Sequence, residues 1–152
     1  MNLSPGSILG LKEKANATST EHRPSIAILP FVNMGGDKGQ TDYDERMLIP
    51  LRYRLNKIPR LEVANRIVSH YWYKKGFKSI EIGKKLGVEN ILEGSLRWAG
   101  NHLSVTARLI KVSDGSLLWS KSYDRDVGKW PAFEDEILKA IANKLQLRLP
   151  KK

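Results

Sequence analysis

The stretch from residue 88 to residue 124 constrains the fold of this chain more than any other. Apolar and polar side chains alternate from Leu92 to Trp98 and again from Leu103 to Leu109, and Leu117 and Trp119 begin a third segment of the same kind. A period of two is typical of strands with one buried face and one hydrated face. The pattern predicts an antiparallel meander whose apolar face must be covered by helices from the rest of the chain.

Two turns separate these segments, and further elements are predicted around them. Gly100-Asn101 and Ser113-Asp114-Gly115 suit tight turns, because these residue types tolerate positive φ. The nearly continuous apolar run Ser25–Phe31 is typical of a strand buried on both faces. Apolar residues spaced three and four apart predict helices at residues 47–57, 79–87 and 132–147.

These elements predict an α/β fold, more narrowly α+β. We expect a single two-layer domain with a mixed sheet of about five strands that ends in the antiparallel meander, and with helices packed on one face. Pro50 is expected in the first turn of the first helix, where a missing N–H costs little, and Ser79 is expected to cap the second. The domain should occupy residues 24–149, after a flexible leader at 1–23 and before a short tail at 150–152.

Composition narrows the classes of function. The chain has 152 residues, a net charge of +10 and no cysteine, which excludes disulfides, thiolate metal sites and thiol nucleophiles. A basic balance raises the odds of polyanion binding without specifying a partner. No apolar run is long enough to cross a bilayer, and no secretory leader is recognisable. We expect a soluble protein that is cytoplasmic as the chain stands, or periplasmic if a signal or anchor lies outside it.

No catalytic constellation is recognisable. His22, His70 and His102 fall in a leader, a connector and a turn, without the spacing that metal ligands need. No nucleophile elbow is present, since Gly94-Ser95-Leu96 lies inside a predicted strand. We therefore predict no catalytic residues, no metal site and no cofactor, and an enzyme is the least favoured function.

Aromatic and basic residues are interleaved along residues 65–78, a segment that is expected to connect two elements. The candidate interaction patch comprises Tyr71, Trp72, Tyr73, Lys74, Lys75, Lys78, Lys84 and Lys85. Aromatic rings that stack on bases beside cations that hold phosphates would form a site for single-stranded nucleic acid. The favoured alternative is that some of the aromatic residues anchor the connector to the core, while the lysines are hydrated.

A second candidate surface is the hydrated face of the meander. Arg97, Arg108 and Lys121 are its candidate contact residues. An exposed edge strand could also pair with a partner protein or with a second copy of the chain.

The chain resembles a bacterial family, the TolB-like N-terminal-type domain. The resemblance covers residues 24 to 146 and is carried chiefly by Ser25-Ile-Ala-Ile-Leu-Pro-Phe, Leu61-Glu-Val-Ala, Leu86-Gly-Val-Glu-Asn-Ile-Leu-Glu-Gly-Ser and Val105-Thr-Ala-Arg-Leu-Ile. It implies a mixed sheet with packed helices, often found between a signalling output, such as a class III adenylate cyclase or a winged-helix regulator, and tetratricopeptide repeats. The family brings no established catalytic residues. This chain departs from it at Glu45-Arg46, where an Asp-Gly turn is usual, and at Pro50, where an acidic residue is usual.

The sequence therefore favours a non-catalytic protein-interaction or sensory and regulatory module of a bacterial signalling or envelope-associated system. Its partner would be another protein, of unknown identity, or a second copy bound through an edge strand. The alternative from a different class is weak, sequence-independent nucleic-acid binding through the aromatic and basic patch.

Overall fold

The computed structural model of this protein describes residues 22–35, 41–126, 128 and 130–150, with the side chains of 41–45 excepted. The strands are β1 Ser25–Ile28, β2 Val32–Asn33, β3 Glu62–Val63, β4 Asn90–Ala99, β5 His102–Lys111 and β6 Leu117–Asp126. The helices are α1 Thr41–Asn56, α2 Arg66–Lys74, α3 Ser79–Leu86 and α4 Trp130–Lys144. Of the predicted leader only His22 and Arg23 lie within the described residues, and the predicted domain boundaries stay a prediction.

The strands form one mixed sheet in the order β3-β1-β4-β5-β6, with β2 beside the second half of β4. β1 runs parallel to β3 and β4, whereas β4, β5 and β6 form an antiparallel meander in which Leu92 lies opposite Leu109. Gly100 and Gly115 adopt φ of 64° and 74° in its two turns. The α+β class and the meander are confirmed, and the described residues form six strands of the sheet where about five were expected.

The predicted placement of all helices on one face is wrong, because α1 and α4 cover one face of the sheet and α2 and α3 cover the other. On β1, Ile26 and Ile28 belong to the first core, and Ala27 and Leu29 to the second. The physical reason is crossover handedness: the connections from β1 to β3 and from β3 to β4 run in opposite directions along the sheet. Right-handed crossovers in opposite directions place their helices on opposite faces.

The core under α1 and α4 is the larger of the two. Leu51 and Leu55 of α1 and Ile137 and Ile141 of α4 are fully buried against the sheet. Arg54 of α1 joins the helices through ion pairs with Glu134 at 3.7 Å and Asp135 at 2.7 Å. Burial raises the pKa of the Glu134 carboxyl, and the Arg54 charge opposes that rise.

Helix boundaries differ from the prediction in ways that have local causes. α1 begins at Thr41, so Pro50 lies in its interior and not in its first turn. Proline has no N–H to donate to the carbonyl one turn earlier, and both Pro50 and Arg46 lie on the exposed side of the helix. α3 is capped from Lys78, whose backbone N–H donates to Glu81 Oε1 at 3.0 Å, and Ser79 is its first helical residue. Gly87 ends α3 with φ of 72°.

The third meander strand contains an irregularity that the sequence pattern did not predict. The register shifts between Leu109 and Ile110, which lie opposite Trp119 and Leu117. A bulge of this kind inserts one extra residue and reverses the facing of side chains beyond it. Leu117, expected to point inward with Trp119, is therefore 56% exposed.

Candidate interaction surface

The segment treated as a connector in the sequence contains a helix, α2. The Asn65 side chain caps it, accepting hydrogen bonds from the backbone N–H of Ile67 at 2.8 Å and of Val68 at 3.2 Å. Such a cap satisfies donors that the first helical turn leaves without partners. The Ser69 hydroxyl also donates to the Asn65 carbonyl at 2.9 Å, so the start of α2 is fixed in position.

One side of α2 holds the helix against the sheet. Ser69 is almost completely buried, and Trp72 and Tyr73 pack, partly buried, against the smaller core. The Trp72 ring meets Phe77 edge-to-face, with 5.5 Å between centroids. The Lys85 ammonium lies 4.7 Å from the centroid of Trp72 and 4.6 Å from that of Phe77. These contacts support the alternative in which aromatic residues anchor the segment to the core.

The opposite side of α2 exposes apolar side chains. Ile67 is 72% exposed, Val68 44% and Tyr71 53%. Ile67 and Val68 lie four and three positions before Tyr71, so each neighbours Tyr71 on one face of the helix. We call these three residues the α2 ridge. Such a contiguous apolar surface on a folded helix is a typical mark of an interaction site.

The two helices α2, which carries the ridge, and α3, beside it, are basic. The lysines of the predicted patch, Lys74, Lys75, Lys78, Lys84 and Lys85, are all exposed. The one acidic residue on α2 and α3, Glu81, accepts the backbone N–H of Lys78. Lys75 lies over the Tyr71 ring at 5.3 Å, and Lys85 is engaged with Trp72 and Phe77. A partner that covers the ridge would therefore meet the Lys75 ammonium beside Tyr71.

The three sheet-face candidates do not form one surface. Arg108 donates Nε–H to Glu93 Oε2 at 3.1 Å, so its charge is already paired. Lys121 lies on the other face of the sheet, beside Tyr123 and 3.8 Å from Glu136 of α4, and its predicted place on the hydrated face is wrong. It shares a face with Trp119 because the two lie two positions apart in regular strand, with Ser120 between them.

Arg97 remains on the hydrated face, beside a shallow cavity of about 420 Å³ that Ser104, Thr106 and Asp124 also line. Arg97 makes no ion pair with a carboxylate in the described ranges. Met34, an exposed apolar side chain, lines the cavity as well, so the surface around Arg97 combines hydroxyl groups, an acid and an apolar group.

His102 occupies the end of the same face. Its ring nitrogens pair with Asp124 and with Asp126, the latter at 3.3 Å. The bond to Asp126 and the charges of both aspartates hold the pKa of His102 above its ordinary value. Within the described part of the chain, no group of three or more histidines and carboxylates is arranged to hold a metal ion.

Sequence reasoning identified the aromatic and basic residues but missed the ridge. Ile67 and Val68 were absent from the predicted patch, and a signal for them existed: Asn65 as a capping residue, followed by apolar residues at 67, 68, 71 and 72. Of the predicted aromatic residues, the structure leaves Tyr71 exposed and turns Trp72 and Tyr73 toward the core.

Comparison with known proteins places this geometry among described folds. No family model matches the chain. A Rhizobium meliloti (strain 1021) protein named "Putative adenylate cyclase 3" is 35% identical over 127 residues. That match covers 84% of this chain, and the chain spans 22% of the length of that protein.

Solved structures share the fold at low sequence identity. TolB from Acinetobacter baumannii superposes with a TM-score of 0.55 at 17% identity, over 81% of this chain and 28% of TolB. Lipoprotein GNA1162 from Neisseria meningitidis gives 0.52 at 19% identity, over 78% of this chain and 96% of the lipoprotein. LpoB from Escherichia coli gives 0.50 at 14% identity, over 68% of this chain and 58% of LpoB. The resemblance to TolB predicted from the sequence is confirmed at the level of the fold.

Among the helices described, none combines the length and apolar character that a bilayer span requires.

Proposed function

We propose that this chain is a non-catalytic protein-interaction module of a bacterial signalling or envelope-associated system, and that it binds its partner through the α2 ridge. The observation that carries the proposal is the joint exposure of Ile67 and Tyr71, one helical turn apart on a capped helix whose other side is anchored in the core. Exposed apolar residues on a rigid helix have little ordering entropy left to lose on binding.

The chemistry of the surface indicates the chemistry of the partner. The ridge offers an apolar strip, and Lys74 and Lys75, one turn beyond Tyr71, favour acidic groups at the edge of the contact. We expect a protein surface that presents apolar side chains flanked by Asp or Glu. A signalling setting is suggested by the name of the Rhizobium protein, and an envelope setting by the lipoprotein that shares the fold.

Two other routes to a partner are less favoured. Nucleic-acid binding would need exposed aromatic faces for stacking, and Trp72 and Phe77 are already engaged with each other and with Lys85. Pairing along the outer edge of β6 would meet the charges of Lys121, Asp124 and Arg125. Charged residues of this kind are typical of edge strands protected against association.

Quantitative affinity capture from cells that encode the chain would test the proposal. The wild type would be compared with a ridge variant that combines Ile67→Ser with Tyr71→Ser. Leu117→Ser, which removes a similarly exposed apolar side chain from β6, is the matched control. We expect a discrete protein retained by the wild type and the control and lost from the ridge variant. Equal retention by all three would contradict the proposal.

A further inference from the structure

A second surface, separate from the α2 ridge, has the features of a ligand site. It is a cleft of about 720 Å³ where the carboxyl ends of α3, β5 and α4 meet. Its side chains come from elements far apart in the sequence, among them Lys84, Lys111 and Lys144 at the rim and Val112, Leu118 and Leu145 below them. The volume falls within the range of about 300–1,000 Å³ that is usual for small-molecule sites.

The rim is cationic and largely uncompensated. Lys84, Lys111 and Lys144 make no ion pair with a carboxylate anywhere in the described ranges. The acidic side chain that lines the cleft, Glu89, pairs with His22 at 2.8 Å. In the neighbouring turn, Asp114 Oδ1 accepts hydrogen bonds from the backbone N–H and the hydroxyl of Ser116. These bonds lower the pKa of Asp114 more than the charge of Lys111 does.

Helix dipoles offset part of this positive charge. Lys84 and Lys144 lie in the last turns of α3 and α4, where the carboxyl end of each helix carries roughly half a negative charge. Two half charges do not balance three ammonium groups. Lys111 moreover ends a strand, so no helix end explains its position.

Below the lysines the cleft is apolar. Val112 is buried, and Leu118 and Leu145 are partly buried where they meet the main core. Leu118 is the residue that the irregularity in β6 adds between Leu117 and Trp119, which lie opposite consecutive residues of β5. Apolar side chains below a ring of cations match a ligand that has an apolar body and an anionic head.

We propose that this cleft binds an anionic amphiphile, a small molecule with a carboxylate or phosphate head and a hydrocarbon body. The head contacts Lys84, Lys111 and Lys144, and the body covers Val112, Leu118 and Leu145. The site uses none of the ridge residues, so its occupancy and partner binding are tested independently.

Isothermal titration calorimetry of the full chain tests this assignment with three probes below their aggregation thresholds: decanoate, decyl phosphate and decanol. We expect saturable binding of one or both anions, and the comparison of the two shows which head group the cleft prefers. Decanol, which has the body without the charge, should bind at least about tenfold more weakly. Equal affinity for decanol, or no saturable binding of either anion, would overturn the proposal.

Variants locate the binding. Replacing Lys84, Lys111 and Lys144 together by Gln should weaken anion binding at least about tenfold. The matched control replaces Lys74, Lys75 and Lys78 by Gln, removing the same charge outside the cleft, and should bind like the wild type. Lys111→Gln alone, which leaves both helix ends intact, should give a smaller loss and serves if the triple variant is unstable. Undiminished binding by the cleft variants, or equal losses in the cleft and control triple variants, would refute the site.

Discussion

The ring of Phe31 occupies the space into which a side chain at Gly94 would project. A Cβ at position 94 would lie 2.7 Å from Cε2 of Phe31 and 2.2 Å from the backbone oxygen of Thr106. Gly94 is therefore the point at which the chain after β1 packs closely onto the meander. The contact joins the parallel half of the sheet to its antiparallel half.

Replacing Gly94 by alanine should destabilise the fold by about 1–3 kcal/mol, because backbone as well as side chain must move to accept the methyl group. Urea unfolding followed by circular dichroism would measure the change. Gly128→Ala is the control, since a Cβ there meets no atom within 4 Å. If both variants unfold at the same urea concentration as the wild type, the close approach of Phe31 has no energetic weight.

The two sides of α2 should respond differently to truncation. Trp72→Ala removes an indole packed on Phe77 and the smaller core, and we expect a loss of about 2 kcal/mol or more. Ile67→Ser, on the exposed ridge, should change stability by no more than about 0.5 kcal/mol. Thermal unfolding of the two variants measures both effects. A destabilised Ile67→Ser would mean that the ridge serves the fold and not a partner.

His102 should give the meander a small pH dependence. Since its folded-state pKa lies above the ordinary value, its contribution to stability is fully present below that ordinary value and is lost as the pH rises through the raised pKa. A proton NMR titration of the imidazole measures the pKa directly. Replacing Asp124 and Asp126 by Asn should return it toward the ordinary value. A wild-type pKa at or below the ordinary value would show that these pairs do not form in solution.

Oligonucleotide binding separates the two classes of function that the sequence left open. Fluorescence anisotropy with labelled single- and double-stranded oligonucleotides, at low and moderate salt, should show no micromolar binding that depends on Lys74, Lys75 and Lys78. The reason is that most of the aromatic rings are turned inward, which leaves charge without stacking. Micromolar binding that weakens steeply with salt and disappears when these lysines are changed to Glu would favour the nucleic-acid function.

Most of the fold could be predicted from the sequence, because the strongest patterns in it depend on residues that are close together in the chain. The alternation in β4 and β5 and the turn at Gly100 depend on neighbouring residues, and the continuous apolar run of β1 already indicated burial on both faces. The face on which Lys121 lies could also have been predicted, since side chains alternate along a strand and Lys121 follows Trp119 by two positions. Leu117 was not predictable in this way, because the bulge before Trp119 reverses the pattern.

The candidate sites were harder to predict, because they depend on which distant residues the fold brings together. α2 itself could have been predicted from Asn65 and the apolar residues at 67, 68, 71 and 72, but which of these residues stay exposed depends on how Trp72 and Tyr73 pack on the smaller core. The cleft of Lys84, Lys111 and Lys144 joins the ends of three elements, and no spacing along the chain brings these lysines together. Crossover handedness could have placed α2 and α3 on the face opposite α1 once the strand order was known.

Site-specific photo-crosslinking in cells that encode the chain tests most directly whether the α2 ridge contacts a protein partner. A benzophenone amino acid would be placed at position 67 on the ridge and, as the matched control, at position 117 on β6, which is similarly exposed. We predict a discrete crosslinked protein from position 67 that is absent from position 117 and lost when Tyr71 is also changed to Ser. The same crosslinked products from both positions, or no product from position 67, would contradict a partner contact at the ridge.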